Sequence, residues 1–282
     1  MKLLALVLAA AMLAPAQTSP PAPRKPTQNS PRGAALPDGK TILAKSAAAT
    51  GGVDAKNSIK TQKIVGKMLL PEAGISGTII VHRSQRGETY QVMELPGAGK
   101  IEVGNNGEVE WERSTLTGPK VRRVGKSPTD LLEPDPTDLA LVDNFSKIET
   151  DGVATVHGKP CFTVHLWPNG SAAVQTACYD RETFLPVQLQ TNGKVPVKLT
   201  LGDYRSVGPS KMPFLIETET MGKTMRLEVE TITLNGPLPP EATELPDEIE
   251  KLAFHSPVEV REVEVDKDRP TLRHRPKQDT KQ

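Results

Sequence analysis

Pro160-Cys161-Phe162-Thr163-Val164-His165-Leu166-Trp167-Pro168-Asn169-Gly170-Ser171-Ala172-Ala173-Val174-Gln175-Thr176-Ala177-Cys178-Tyr179 is the stretch on which the reading of this 282-residue chain turns. Two β-prone runs flank Asn169-Gly170, the pair best suited to a two-residue type I′ turn, because both central residues of that turn take positive φ. Counting outward from the turn, Pro168 pairs with Ser171, and Cys161 falls directly opposite Cys178 on a non-hydrogen-bonded pair. Such pairs hold their Cα atoms at about 4.5 Å, within reach of a disulfide. Pro168 has no N–H for a closing pair, so a four-residue loop in the same register is the alternative turn. A Cys161–Cys178 bridge is therefore expected, against two buried small thiols as the bland reading.

Outward from the hairpin, the sequence alternates with a period of two. Strands are predicted at 185–190, 195–201, 212–219 and 224–234; in Thr224-Met225-Arg226-Leu227-Glu228-Val229-Glu230 the alternation is strict. Upstream, 63–70, 78–83 and 89–95 read the same way, and 100–103 with 108–113 flank Asn105-Asn106-Gly107 as a second hairpin. Val109 and Trp111 share one face of its far strand. Glu108, Glu110 and Glu112 take the other, which reads as solvated.

Helix signals are fewer. Asp38 can cap a helix over 41–49 that Gly51-Gly52 stops, with a short helical turn over 53–58. Asp135 as cap, Pro136 at the first helical position, and Leu139, Val142, Phe145 and Ile148 at three-residue steps predict a central helix lying on the sheet. A helical turn at 129–133, a last helix over 245–254 and edge-strand runs at 258–260 and 263–265 complete the reading. The fold class is α+β: a large, curved antiparallel sheet with a few helices covering its concave face.

Met1-Lys2, the apolar run 3–14 and Ala14-Pro15-Ala16 read as an export signal (1–16) cut before Gln17, too short to span a bilayer. Residues 17–37 are crowded with Pro, Ser, Thr and Gln and read as a disordered spacer. Residues 38–255 form one domain, and 256–282 a mostly disordered, charged tail. Paired cysteines agree with an oxidising, periplasmic or secreted location. A formal net charge of +1 and 4% aromatic residues argue against a nucleic-acid partner and against stacking platforms.

No catalytic constellation emerges. The five histidines have no metal-ligand spacing, no G-x-S-x-G elbow occurs, and paired cysteines leave no thiol nucleophile. Neither enzyme activity nor a metal or other cofactor is expected.

Ile42-Leu43-Ala44-Lys45 with Gly51-Gly52, Asn106-Gly107 with Trp111, Cys178-Tyr179-Asp180-Arg181 leading to Leu185-Pro186, and Asp203-Tyr204-Arg205 with Lys211-Met212-Pro213-Phe214 resemble, in order, the LolA-like superfamily of exported bacterial proteins. The resemblance implies an unclosed half-barrel whose apolar hollow accepts a lipid or a lipoprotein acyl chain. The proline-rich spacer, the charged tail and the cysteine hairpin depart from the sorting carriers themselves. By strand phase, the side chains that would face such a hollow are Ile64, Met68, Ile80, Val92, Trp111, Leu199, Phe214, Ile216, Leu227 and Val229; each could equally be ordinary core. The leading expectation is a periplasmic binding protein or chaperone without catalysis. Its rival is a structural module of the cell envelope that fills its hollow with its own helices and binds envelope proteins.

Overall fold

The computed structural model describes residues 36–97, 99–124, 142–170, 173–191 and 195–254. The expected leader, nearly all of the spacer, the turn at 129–133, the cap at Asp135 and the charged tail with its edge strand lie outside the described residues.

Among the described residues, thirteen antiparallel strands form one sheet. The N-terminal arm is β1 (Thr61–Leu70), β2 (Ile75–Ser84), β3 (Thr89–Leu95), β4 (Gly99–Asn105), β5 (Val109–Ser114) and β6 (Gly118–Val124). The C-terminal arm is β7 (Phe145–Val156), β8 (Lys159–Pro168), β9 (Gln175–Asp180), β10 (Pro186–Thr191), β11 (Val197–Val207), β12 (Ser210–Thr220) and β13 (Lys223–Leu234). Each arm is a meander in which neighbours in sequence are neighbours in space. Among the described residues the arms are hydrogen-bonded to each other only where β1 pairs with β13, and β6 and β7 are the two outer strands, so the sheet is curved but unclosed.

Both edges carry features that discourage further strand pairing. β6 begins Gly118-Pro119 and carries Lys120 and Arg122, while β7 is broken by two register shifts against β8 and exposes Lys147, Glu149 and Asp151.

The first helix, α1 (Gly39–Thr50), starts where Asp38 accepts a hydrogen bond from the Thr41 N–H at 3.2 Å and ends at Gly51 in the left-handed region. Gly51 has φ of 119°, and a Cβ there would collide with the Pro209 carbonyl oxygen of the β11–β12 turn. Glycine thus lets the chain turn straight into α2 (Gly52–Ser58) while resting on the sheet. α3 (Asp247–Phe254) follows the last strand.

Two expectations need correction. Phe145 and Ile148 belong to β7, not to a helix, and Val142 sits in a single 3-10 turn, Val142–Asn144. Pairing with the ten-residue strand β8 overrides the three-residue apolar spacing, and the two bulges interrupt the alternation that would have marked a strand. The cysteine hairpin does carry the bridge, with Cα atoms 5.6 Å apart, but in a register two residues from the expected one. Cys161 faces Asp180 and Thr163 faces Cys178, so the disulfide runs diagonally across the ladder. Pro168 is the last residue of β8 and β9 starts only at Gln175, so the strands do not pair up to the expected two-residue turn.

The β1–β13 seam has one close approach. Its register shifts between Val65 and Gly66, and a Cβ on Gly66 would collide with the Glu228 carbonyl oxygen. Gly66→Val should lower the free energy of unfolding by about 2 kcal/mol or more through overpacking. Gly152→Ala, where a Cβ meets nothing within 4 Å, should stay within about 0.5 kcal/mol. Urea unfolding of the two variants checks the contrast.

Candidate functional site

Side chains alternate between the two faces of each strand, and the two faces are covered differently. On the concave face the C-terminal arm packs Val164, Leu166, Ala177, Tyr179 and Leu189 beneath Ile42 and Leu43 of α1. The N-terminal arm packs Met68, Ile79, Met93 and Leu95 with Met225 on the same face. Ile216 touches both groups, but α1 and α2 do not fill the space between them.

That space is a cavity of about 460 Å³. Its floor comes from Ile64, Leu227, Val229 and Ile232 at the seam and from Leu199, Leu201 and Ile216 of the C-terminal arm. Its lid is Ala47 and Thr50 of α1 with Gly52, Val53 and Lys56 of α2. The Tyr204 hydroxyl donates to the Pro186 carbonyl at 2.6 Å, so this wall residue keeps its polar atom satisfied, and burial pushes its ionisation up. The volume lies within the roughly 300–1,000 Å³ of small-molecule sites, and the walls are mostly apolar. Such a surface can bury a flexible apolar chain.

Of the ten residues picked by strand phase, Ile64, Leu199, Ile216, Leu227 and Val229 line this cavity. Met68 and Phe214 lie beside it in the same apolar cluster, with the Arg205 guanidinium 4.4 Å from the Phe214 ring centre. Ile80 alternates to the opposite face from Ile79 and Val81, and it is Val81 that reaches the cavity. Val92 and Trp111 also face the other way: with Tyr90 and Val109 they form a separate cluster under Ala242 and Ile249, the latter on α3. Strand phase gave no access to the lid residues Ala47, Thr50 and Val53 or to Ile59. The spacing of Ile42, Leu43 and Ser46 marks the buried side of α1, from which the neighbouring stripe through Ala47 and Thr50 could have been read.

The opposite face also holds a buried ionic network. Glu102, 5% exposed, accepts from the Tyr90 hydroxyl at 2.5 Å and from Arg113 Nε at 2.7 Å, with Lys100 Nζ at 3.0 Å. Arg113 also reaches Glu248 of α3 at 3.1 Å, so the network ties the last helix to the sheet. Burial alone would raise the Glu102 pKa, but the bonds from Arg113, Tyr90 and Lys100 outweigh it and hold the carboxyl down at about 2. Glu112, expected on a solvated face, is buried on the concave side instead and paired with Arg122 and, at 3.8 Å, with Lys120. The Cys161–Cys178 bridge and His165 lie away from the cavity, and the His165 ring meets Thr176 Oγ1 at 3.1 Å. Among the described residues no three His, Cys, Asp or Glu side chains group as a metal site, and no helix is long and apolar enough to cross a membrane.

The fold and the cavity thus define an unclosed antiparallel sheet with a helix-lidded apolar hollow. No protein-family model and no curated protein matches the chain. Among solved structures it is similar to a DUF1329 family protein from Desulfovibrio piger (11% identity, TM-score 0.49, covering 73% of this chain and 97% of that one). It is also similar to a LolA superfamily protein from Nitrosomonas europaea (11%, 0.44, 76% and 97%) and to the lipoprotein LppX of Mycobacterium tuberculosis (11%, 0.32, 71% and 97%). At these values the likenesses fix neither ligand nor partner for this chain.

Because Glu102 ionises near pH 2 when folded and near its ordinary 4.5 when unfolded, the stability it supplies is complete above pH 4.5 and lost as pH falls toward 2. Glu102→Gln should therefore lower the melting temperature at neutral pH, and the gap to wild type should close between pH 4.5 and 2. Thermal melts across that window check both the sign and its limits.

Proposed function

We propose that the protein is a carrier of the bacterial cell envelope that shelters the acyl chain of a lipid or lipoprotein, without covalent chemistry. The observation that carries this reading is the apolar cavity of about 460 Å³ between the α1–α2 lid and the β1–β13 seam. Each methylene moved from water into it is stabilised by about 0.8 kcal/mol, so a long chain gains enough to offset its lost freedom. The same cavity favours carriage over the rival reading, in which the protein's own helices fill the hollow. The disulfide suits an oxidising compartment, and with the signal-like N-terminus it supports a periplasmic or secreted location. Envelope proteins that hand over or receive the cargo are the corresponding partners.

Uptake of a fluorescent long-chain fatty acid tests the proposal. The wild-type protein should bind it. Ile216→Asp, which places a charge on the floor, and Ala47→Phe, which fills the space from the lid, should each weaken binding by about tenfold or more. Cooperative thermal unfolding retained by both variants separates loss of the site from loss of the fold. No uptake by the wild type, or uptake undiminished in both variants, contradicts carriage.

A further inference from the structure

The hollow has a blind end and a polar end. Leu227 of β13 and Ile216 of β12 pair across the ladder, and both line it. The next residues on the same face, Met225 and Thr218, also pair with each other, but each is only 1% exposed and the hollow stops short of them. Met68, opposite Leu227, is buried as deeply, and Leu199, opposite Thr218, packs with Ile42 and Leu43 of α1. The protein's own side chains therefore close this end.

At the other end stand Lys60, Thr61, Ser84 and Gln85. Their polar atoms already have partners. Lys60 Nζ donates to the Asn57 carbonyl and to Gln85 Oε1, each at 2.9 Å. The Thr61 hydroxyl donates to the Gly236 carbonyl at 2.6 Å, and the Ser84 hydroxyl donates to the Glu88 carboxylate. With this end self-satisfied, the dimensions of the hollow decide what enters.

Two dimensions agree. Along β12 the lining runs from Ser210 to Ile216, six steps of about 3.3 Å, or about 20 Å in all. Bonds of about 1.5 Å in a zigzag chain each advance about 1.25 Å, so an extended chain of about sixteen carbons covers that length. The volume gives nearly the same figure: an apolar cavity of about 150 Å³ takes the six carbons of benzene, and on that scale about 460 Å³ takes about eighteen. A second chain of that length would have to leave its methylenes in water.

We propose that the ligand is a single-chain amphiphile of about sixteen to eighteen carbons, its methyl end against Met225 and Thr218 and its head in solvent beyond Lys60 and Ser84. The inference rests on the carrier reading and adds chain number, chain length and orientation to it.

Calorimetric titration of the delipidated full chain with saturated fatty acids of about eight to about twenty-two carbons tests it. One should bind per protein, and affinity should rise about threefold per added methylene up to about sixteen to eighteen carbons, then level or fall. Ile216→Phe, which extends a wall residue into the blind end, should move that limit down by about two to four carbons. Met225→Ala, which clears the end wall, should move it up by a similar amount. Should Met225→Ala fail to fold, the shift in Ile216→Phe decides alone, since that side chain grows into open space. Displacement of bound palmitate by palmitoyl lysophosphatidylcholine, but not by vesicles of dipalmitoylphosphatidylcholine, supports the inference with a lysophospholipid as the source of the chain. Displacement by neither supports it with a free fatty acid. Two palmitates per protein, affinity still climbing at about twenty-two carbons, displacement by the two-chain lipid as readily as by the one-chain lipid, or a limit that neither substitution moves overturns the single-chain inference and leaves the carrier reading standing. Binding of no member of the series overturns both.

Discussion

The pairing of β1 with β13 is the constraint on which the molecule depends. Among the described residues every other strand pair joins neighbours in sequence, and hairpins of that kind close cheaply. The seam instead joins residues such as Gln62 and Leu234, and it turns two independent meanders into one sheet. It is also where the floor of the cavity lies, since Ile64, Leu227 and Val229 are seam residues. The bulge at Gly66 brings the two backbones close at this point, so the geometry of the site and the integrity of the sheet rest on the same few residues.

The two arms then solve different burial problems. The C-terminal arm sends its apolar residues mainly to the concave face, where α1 lies on them. The N-terminal arm is apolar on both faces: Met68, Ile79 and Met93 point inward, while Tyr90, Val109 and Trp111 point outward under α3. α1 and α2 sit toward the C-terminal arm and α3 behind the N-terminal one, which leaves the inner surface near the seam covered by a lid without being filled. Burying the Glu102–Arg113–Tyr90 network has a desolvation cost, offset because each charged group meets a partner and α3 is held in place by the Arg113–Glu248 contact.

Much of this was legible in the sequence, and what was not has identifiable physical causes. The capped α1, the Gly51 stop and the strands with strict alternation were readable because local chemistry and tertiary role agree there. Trp111 was correctly placed on a dry face, but a sheet with dry residues on both faces defeats the rule that dry means inward. In Ile79-Ile80-Val81 three apolar residues in a row hide the phase altogether. The bridge between Cys161 and Cys178 could be foreseen, whereas its diagonal register could not, because Pro168 closes no pair with β9, whose ladder with β8 ends at Leu166 and Gln175. β6 and β7 escaped notice as edge strands, one short and basic, the other bulged and mostly exposed. The cavity needs the lid and the seam together, and nothing short of the fold brings Ala47 and Val53 over Ile216 and Leu227.

Carriage of a chain in the hollow is the central claim, and native mass spectrometry of the protein isolated gently from the cells that make it tests it most directly. Organic extraction would then identify whatever is bound. The account predicts an adduct of one lipid or acyl chain per protein, absent when Ile216 is replaced by aspartate. A mass equal to that of the polypeptide alone, with no extractable lipid, would contradict it.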